Sequence, residues 1–434
     1  MMKSPAREKP LPTRRTFLRR TAAAVALPTI IPAAVRGAEG TVPPSERITV
    51  GCIGAGPRGT DVMGGFLGRP DAQVVAVCDV KQPCREAAKA RIDEHYGNQD
   101  CAMYTDFREI VARDDIDAYL IASTDHWHVL HGLAVARAGK DMYLEKPMGL
   151  SVTEDRALRD ACQAHGTVFQ FGTQQRSDEK FLKACELVRN GVIGELKTIK
   201  VGAPASVRLG DVTPAPVPDW IDYDLWLGQA PWAPFSEERV SNTHWWHNSH
   251  YAIGFVAGWG IHHVDIAQWG NGTDDTGPVE IEGTGVYPEE GFCDCAVEYD
   301  LDCTYANGVR MSFTDNTKNQ QGVVFEGTDG KIYVRRNHIE AEPASLLDVP
   351  LGDSAVRLYK SDHHAGNFLD CVKSRAKTVC PIETAVRSDT ICHISDIAMR
   401  LGRKLRWDPK EERFVDDDAA NRMLTRAMRE PWRL

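Results

Sequence analysis

The stretch ITVGCI (48–53) runs directly into GAGPRG, which sets Gly54, Gly56 and Gly59 in the spacing G-x-G-x-x-G. An apolar strand that turns on glycines into a helix constrains the fold more than anything else in the chain. The first glycine permits a tight turn, the second lets a pyrophosphate approach the main chain, and the third lets helix pack on strand. Glycines alone punctuate many loops, so the strand in front of them carries the inference.

Beyond this turn the chain keeps the same rhythm. QVVAVCDV reads as a second buried strand ending on Asp79, 25 residues after Gly54. A carboxylate there accepts hydrogen bonds from ribose hydroxyls and repels a 2′-phosphate, which favours NAD over NADP. Pro83 opens a helix running to about Tyr96. DAYLIAS (117–123) and KDMYLEKP (140–147) read as further strands, and TVFQFGTQQR (167–176) begins with one more. A capping box, Ser151 to Glu154, starts one of the intervening helices. Strands alternating with helices give an α/β fold, a doubly wound parallel sheet of the Rossmann type. A sheet of this kind without a ligand is the alternative.

From about residue 178 the pattern changes. VEIEGTGVY, FCDCAVEYDLDCTYANGVRMSF and GVVFEGTDGKIYV are alternating strands with hairpin signals at Asn307-Gly308 and Asp329-Gly330. They predict a C-terminal α/β domain with an open, mainly antiparallel sheet buried on one face. The segment 204–238 reads as an extended arm. Residues 381–407 carry helical periodicity and are expected to pack back on the interior. The expected organisation is a leader over 1–38, a nucleotide domain over 46–176, a substrate and oligomerisation domain over 177–380, and a helix with tail over 381–434.

The N-terminus has its own logic. Arg14 and Arg15, then Phe17 and Leu18, precede an apolar run from Ala22 to Ile31 and small residues up to Ala38. That order matches a twin-arginine export signal, with a disordered basic tail as the alternative. The run is too short and Ala-rich to span a bilayer stably. Residues 1–38 hold eight basic residues and one acid, so the remainder carries −17 against −10 for the whole chain. So acidic a body argues against nucleic acid and anionic membranes as partners of the mature protein. The 12 cysteines contain no C-x-x-C pair. Cys293, Cys295 and Cys303 share the parity of one predicted strand and are expected as buried, reduced thiols.

GCIGAGPRG, TDHWHVLHGLAVARAGKDMYLEKP, GTQQRS and GWGIHHVDIAQWG together resemble the Gfo/Idh/MocA oxidoreductase family, named for glucose–fructose oxidoreductase, inositol dehydrogenase and the rhizopine-catabolism protein. The tail PIETAVRS…LGRKLRWDP…PWRL is similar to an exported bacterial branch. The resemblance implies that Lys146 of EKP lies beside the nicotinamide and that an open sheet floors the substrate pocket. It also implies a homo-oligomer. Lys146 follows a sheet strand, and ligands gather at the carboxyl ends of such strands. An ammonium there stabilises a developing alkoxide. A solvated lysine pairing with Glu145 is the alternative.

His262 matches the histidine of the family's G-x-H-x-x-D pattern, through Gly260 and Asp265. Oxidising a carbinol requires removal of a hydroxyl proton, a task suited to imidazole, so His262 is the expected general base. A structural histidine is the alternative. In inositol dehydrogenase-like members an aspartate precedes that histidine by four positions and completes the catalytic group. Here the position is Gly258, so either His262 works alone or His263, Tyr251 or His247 substitutes. The expected cofactor shell comprises Gly54, Gly56, Pro57, Arg58, Gly59, Asp79, Thr124, His126, Trp127, His128, Glu145 and Lys146. The expected substrate shell comprises Gln174, Arg176, His247, Tyr251, His262 and His263, with Gln174 and Arg176 holding sugar hydroxyls or a carboxylate. His244, His247 and His250 lack nearby cysteines or convergent carboxylates, so no metal site is expected. An aromatic wall for a sugar ring is the preferred reading of HWWHNSHY. Asp362, His363, His364 and His393 are further candidates to reach the pocket.

The function these features predict is an NAD-dependent oxidoreductase acting on a sugar or sugar derivative, with the cofactor tightly held and carried out to the periplasm. A redox-neutral, NAD-dependent glycoside hydrolase of the α-N-acetylgalactosaminidase kind is the alternative. A noncatalytic sugar-binding protein is the third reading.

Overall fold

The structure is a computed structural model that describes residues 42–43 and 46–434. The twin-arginine stretch expected over 1–38 lies outside the described residues.

Residues 48–434 form one compact unit. Its first half alternates β1 (Ile48–Ile53), α1 (Pro57–Leu67), β2 (Ala72–Cys78), α2 (Gln82–Tyr96), β3 (Ala102–Tyr104), α3 (Phe107–Val111), β4 (Ala118–Ile121), α4 (Asp125–Arg137), β5 (Asp141–Leu144), α5 (Val152–His165) and β6 (Phe169–Phe171). All neighbouring strands are parallel, in the order β3-β2-β1-β4-β5-β6. That is the dinucleotide-binding order, with its crevice where β1 and β4 diverge. β4, β5 and β6 are buried at every position, which explains why they read as apolar runs without alternation. The capping box at α5 forms in a shifted version. Ser151 accepts from the Glu154 N–H, and the Glu154 carboxylate takes the Leu150 N–H at 2.8 Å.

After α6 (Glu179–Arg189) and β7 (Leu196–Ala203) the chain crosses the segment read as an extended arm. It contains α7 (Tyr223–Leu227) and runs into α8 (Glu237–Val240), and Tyr223 and Trp226 of α7 join Phe235, Val240 and Tyr251 in a small separate core. Then come α9 (Phe255–Gly258), α10 (Gly260–Asn271), β8 (Pro278–Val286), β9 (Glu298–Tyr305), β10 (Arg310–Asp315), β11 (Gly322–Gly327), β12 (Lys331–Arg335) and β13 (His338–Glu342). The chain closes with α11 (His364–Ser374), α12 (Ile382–Leu401), β14 (Leu405–Asp408), β15 (Arg413–Phe414) and α13 (Asp418–Arg422). The second sheet has nine strands in the order β13-β12-β11-β7-β10-β9-β8-β14-β15, antiparallel except where β10 lies beside β7. Gly308 turns the β9–β10 hairpin with φ of 86°.

Two expectations change. Cys293 and Cys295 are buried but precede β9, so the strand parity assigned to them holds only for Cys303. All 12 cysteines are free thiols. Helix α11, expected within the substrate domain, inserts Ala365, Phe368 and Leu369 into the same core as Val50 and Phe66 of the nucleotide half. Helix α12 is buried along nearly all its length and touches α5, β6, α10 and β8, so it ties the two sheets together. Among the described residues, no helix is long and apolar enough to cross a membrane.

Candidate active site

The carboxyl ends of β1, β2, β4 and β5 open into one cavity of about 350 Å³, whose far wall is the junction of α9 and α10. The glycines behave as their spacing predicts. Gly54 has φ of +90°, and a Cβ there would lie 2.4 Å from the Ala122 and Ser123 main chain. A Cβ on Gly59 would strike the Gly54 carbonyl at 2.0 Å, whereas one on Gly56 meets only Asn242 at 3.9 Å. The turn is closed on its inner side and open at its tip, where a diphosphate needs room. Pro57 starts α1 beneath it. Arg58 reaches across to Glu145 at 2.8 Å and leaves its buried Nε without a partner.

Asp79 sits just past β2. Its carboxylate accepts from the Ala55 N–H at 2.8 Å and the Lys81 N–H at 2.9 Å, which fixes it at the cavity edge. Burial raises its pKa from the ordinary value, and those two amides oppose the rise. Thr124 caps α4 and lines the cavity with Asp125 and Trp127. Trp127 stacks on His131 with ring centres 4.7 Å apart. His128 bridges the Pro147 carbonyl at 2.6 Å and the Ser123 carbonyl at 3.1 Å, so it ties the loop after β5 to the loop after β4. His126 does not face the cavity. It is buried against Trp226 and Tyr251, with Nε2 on the Trp226 carbonyl at 3.0 Å.

Lys146 lines the centre of the cavity. Its ammonium donates to the Gly258 carbonyl at 2.7 Å. Gly258, which has no side chain, thus contacts the lysine through its main chain. A Cβ on Gly258 would meet nothing within 4 Å. Burial lowers the Lys146 pKa, while Glu145 and Asp125 hold it up. His262 is 2% exposed, and its Nε2 lies 3.4 Å from an Arg336 Nη. Burial first, then the cations Lys146 and Arg336, push its pKa well below 6.5, so the ring is neutral and able to accept a proton. Trp245 and Trp246 also line the cavity, beside Phe255 and Trp259.

Several expected substrate residues are engaged elsewhere. Arg176 is buried and clamped by Asp265 at 2.7 and 2.8 Å and by Asp274 at 2.8 and 3.0 Å, so neither edge of the guanidinium is free. The same pairing turns Asp265 away from His262. Gln174 donates to the Tyr143 hydroxyl, outside the cavity lining. His263 bonds the Gly202 carbonyl at 2.8 Å. Tyr251 is fully buried and accepts from Arg239 at 3.0 Å. His247 stacks on Phe255 behind the wall. His363 caps α11, and His364 bonds Ser177 and the Phe171 carbonyl. His393 lies between Asp155 and Asp389. Gln174 and Arg176 follow a strand, as expected, but Arg176, Gln174, His263, Tyr251, His364 and His393 are each bonded within the protein, while the buried His247 Nδ1 has no hydrogen-bond partner.

Sequence reasoning passed over Asp125 and Arg336. Asp125 stands inside the quoted TDHWH stretch, at the first turn of α4, and burial lifts its pKa well above 3.8 against the pull of Lys146. Arg336 arrives from the β12–β13 turn, where no local pattern announces it. Among the described residues, the histidines of HWWHNSHY form no metal-ligating group. The group that converges is Asp155, Asp389 and His393.

The fold and this cavity together define a class of two-domain protein in which a dinucleotide-binding sheet and an open sheet are joined in one unit, with the cavity at the carboxyl ends of the first sheet. Family models match residues 48–173 as the NAD-binding Rossmann fold and residues 201–434 as the C-terminal alpha/beta domain of the Gfo/Idh/MocA oxidoreductase family, and the chain belongs to that family. An uncharacterised oxidoreductase of Bacillus subtilis (strain 168), YrbE, is 24% identical over 82% of this chain and 96% of its own length. A glycosyl hydrolase family 109 protein of Shewanella sp. (strain MR-4) is 31% identical over 161 residues, which is 36% of this chain and 34% of that protein. The match thus spans about a third of that relative. Two solved structures share the fold. GenD2 from gentamicin A biosynthesis, in complex with NAD, superposes with a TM-score of 0.62 at 17% identity, covering 84% of this chain and 97% of its own. Levoglucosan dehydrogenase, in complex with NADH and levoglucosan, gives 0.62 at 16% identity, with 83% and 99% coverage.

Proposed function

We propose that this protein oxidises a hydroxyl of a sugar or sugar derivative at the expense of a tightly held NAD. The observation that carries the reading is the continuity of one cavity from Asp79, through Lys146, to His262. When bound, NAD supplies the hydride acceptor. The open glycine tip and the carboxylate of Asp79 suit its diphosphate and ribose. Lys146, oriented by the Gly258 carbonyl, presents an ammonium to the oxygen that gains negative charge. His262 takes the hydroxyl proton as a neutral imidazole. Trp245 and Trp246 offer aromatic faces to the apolar side of a ring.

The twin-arginine pattern adds the proposal that the folded protein leaves the cytoplasm with NAD inside and works in the periplasm. Each turnover must then regenerate the cofactor in place. The likeness to family 109 glycosyl hydrolases favours a second reading, in which transient oxidation permits elimination of the glycosidic group, followed by water addition and re-reduction. Product analysis against free sugars and nitrophenyl glycosides, following nicotinamide absorbance, separates net oxidation from hydrolysis. Lys146→Ala and His262→Ala are each expected to lower kcat by about a hundredfold or more. Unchanged turnover in both variants overturns the site assignment. Absence of acid-releasable NAD from freshly purified protein overturns the retained cofactor.

A further inference from the structure

Arg336 is the least satisfied cation of the cavity. Lys146 donates to the Gly258 carbonyl, Lys81 donates to the Val240 carbonyl, and Arg58 is paired with Glu145. Arg336 lies over the Trp259 ring at 5.1 Å from its centre, and its single hydrogen bond is the 3.4 Å approach to His262. Among the described residues, no carboxylate stands within ion-pair distance of it. Two neighbours share this want of partners, since the Trp259 indole N–H and His262 Nδ1 are buried and bonded to nothing. With His262 neutral and Nε2 facing a guanidinium, the ring proton belongs on Nδ1. Apart from the long contact between Arg336 and Nε2, the donors at this end of the cavity lack acceptors, a costly arrangement unless a ligand supplies one.

We propose that the substrate is an acidic sugar of the uronic-acid class, and that Arg336 binds its carboxylate at the His262 end of the cavity. This rests on the oxidoreductase reading above and names its substrate class. One unpaired guanidinium matches one monoanion, and its planar fork suits a carboxylate held through two parallel hydrogen bonds. A carboxylate bound to Arg336 also brings its negative charge close to His262. It screens the cation that depresses the imidazole, so the bound substrate strengthens its own base.

The test uses the full-length protein with its NAD in place. Methyl glucuronide and methyl galacturonide are compared with the corresponding neutral methyl glycosides, and with glucose 6-phosphate, by calorimetric binding and by nicotinamide reduction. The expected result is binding of a uronide at least about tenfold tighter than of its neutral partner. Arg336→Gln should erase that ratio through KM, Arg336→Lys should keep part of it, and both variants should retain NAD. Three results overturn the inference: equal use of neutral and acidic sugars, preference for the phosphate, or loss of NAD from Arg336→Gln. Oxidation of neutral sugars with indifference to uronides removes the acid site and leaves the oxidoreductase standing. Arg336-dependent uronide binding without any turnover does the reverse.

Discussion

The Lys146 ammonium at the centre of the cavity is held by the main-chain carbonyl of a residue that has no side chain. The Gly258 carbonyl orients the Lys146 ammonium but brings only a dipole. Open space around the missing Cβ leaves room for a side chain there. Gly258→Asp is expected to fold normally and to raise the pKa values of both Lys146 and His262, because a nearby anion favours their charged forms. The acid limb of kcat/KM, which the depressed His262 pKa places below pH 6.5 in the natural protein, should move toward neutrality. A pH profile of the two proteins checks this. At this scale only part of the site is legible in the sequence. Lys146 and His262 are readable because each sits in a motif whose neighbours repeat the family pattern. Arg176, Gln174, His263 and Tyr251 mislead because nothing local distinguishes a polar side chain aimed at a ligand from one satisfied by a buried partner. Arg336 escapes detection, since only tertiary folding brings the β12–β13 turn over His262.

Among the elements, α12 does more than its periodicity suggests. Its Asp389 accepts from the Met148 N–H at 3.0 Å and the Gly149 N–H at 3.4 Å, so it holds the segment that follows Lys146. Its His393 lies 3.1 Å from Asp155 and 3.4 Å from Asp389, and these carboxylates raise the imidazole pKa from 6.5 to about 10 despite burial. The folded state thus binds this proton more tightly than the unfolded chain does. Its stabilisation is complete below about pH 6.5 and is lost as pH rises through about 10. Burial and Asp389 also raise the Asp155 pKa, to about 8, so the buried cluster shares its protons near neutrality. His393→Gln is expected to cost about 3 kcal/mol there, because the buried acidic pair loses its cationic partner, and to flatten the alkaline fall in stability. Urea denaturation across that pH range reads both effects. The strands themselves are legible for opposite reasons. In the nucleotide half full burial gives apolar runs, and in the second sheet one buried face gives alternation. The error over Cys293 and Cys295 arises where a buried loop copies the alternation of the strand it precedes.

For the whole molecule, the 12 thiols report on where it folds. None is bonded to another, and burial pushes Cys84 and Cys101 up to about 11 and most of the others higher. Native protein should react slowly with alkylating reagents, with Cys84 the first to be modified because it alone is partly exposed, and all 12 should react after denaturation. Thiol titration with and without denaturant tests this, and thermal stability should not depend on reductant. A chain with this chemistry gains nothing from an oxidising compartment during folding, which agrees with the proposal that it is finished before export.

The placement of α12 carries a consequence for biosynthesis. The segment that follows Lys146 is anchored by α12, whose Asp389 lies 241 residues beyond Met148 in the chain. Until α12 has been made, the nascent nucleotide half has its glycine turn but not the support beneath its lysine. A product truncated before α12 is therefore expected to carry an unsupported lysine loop.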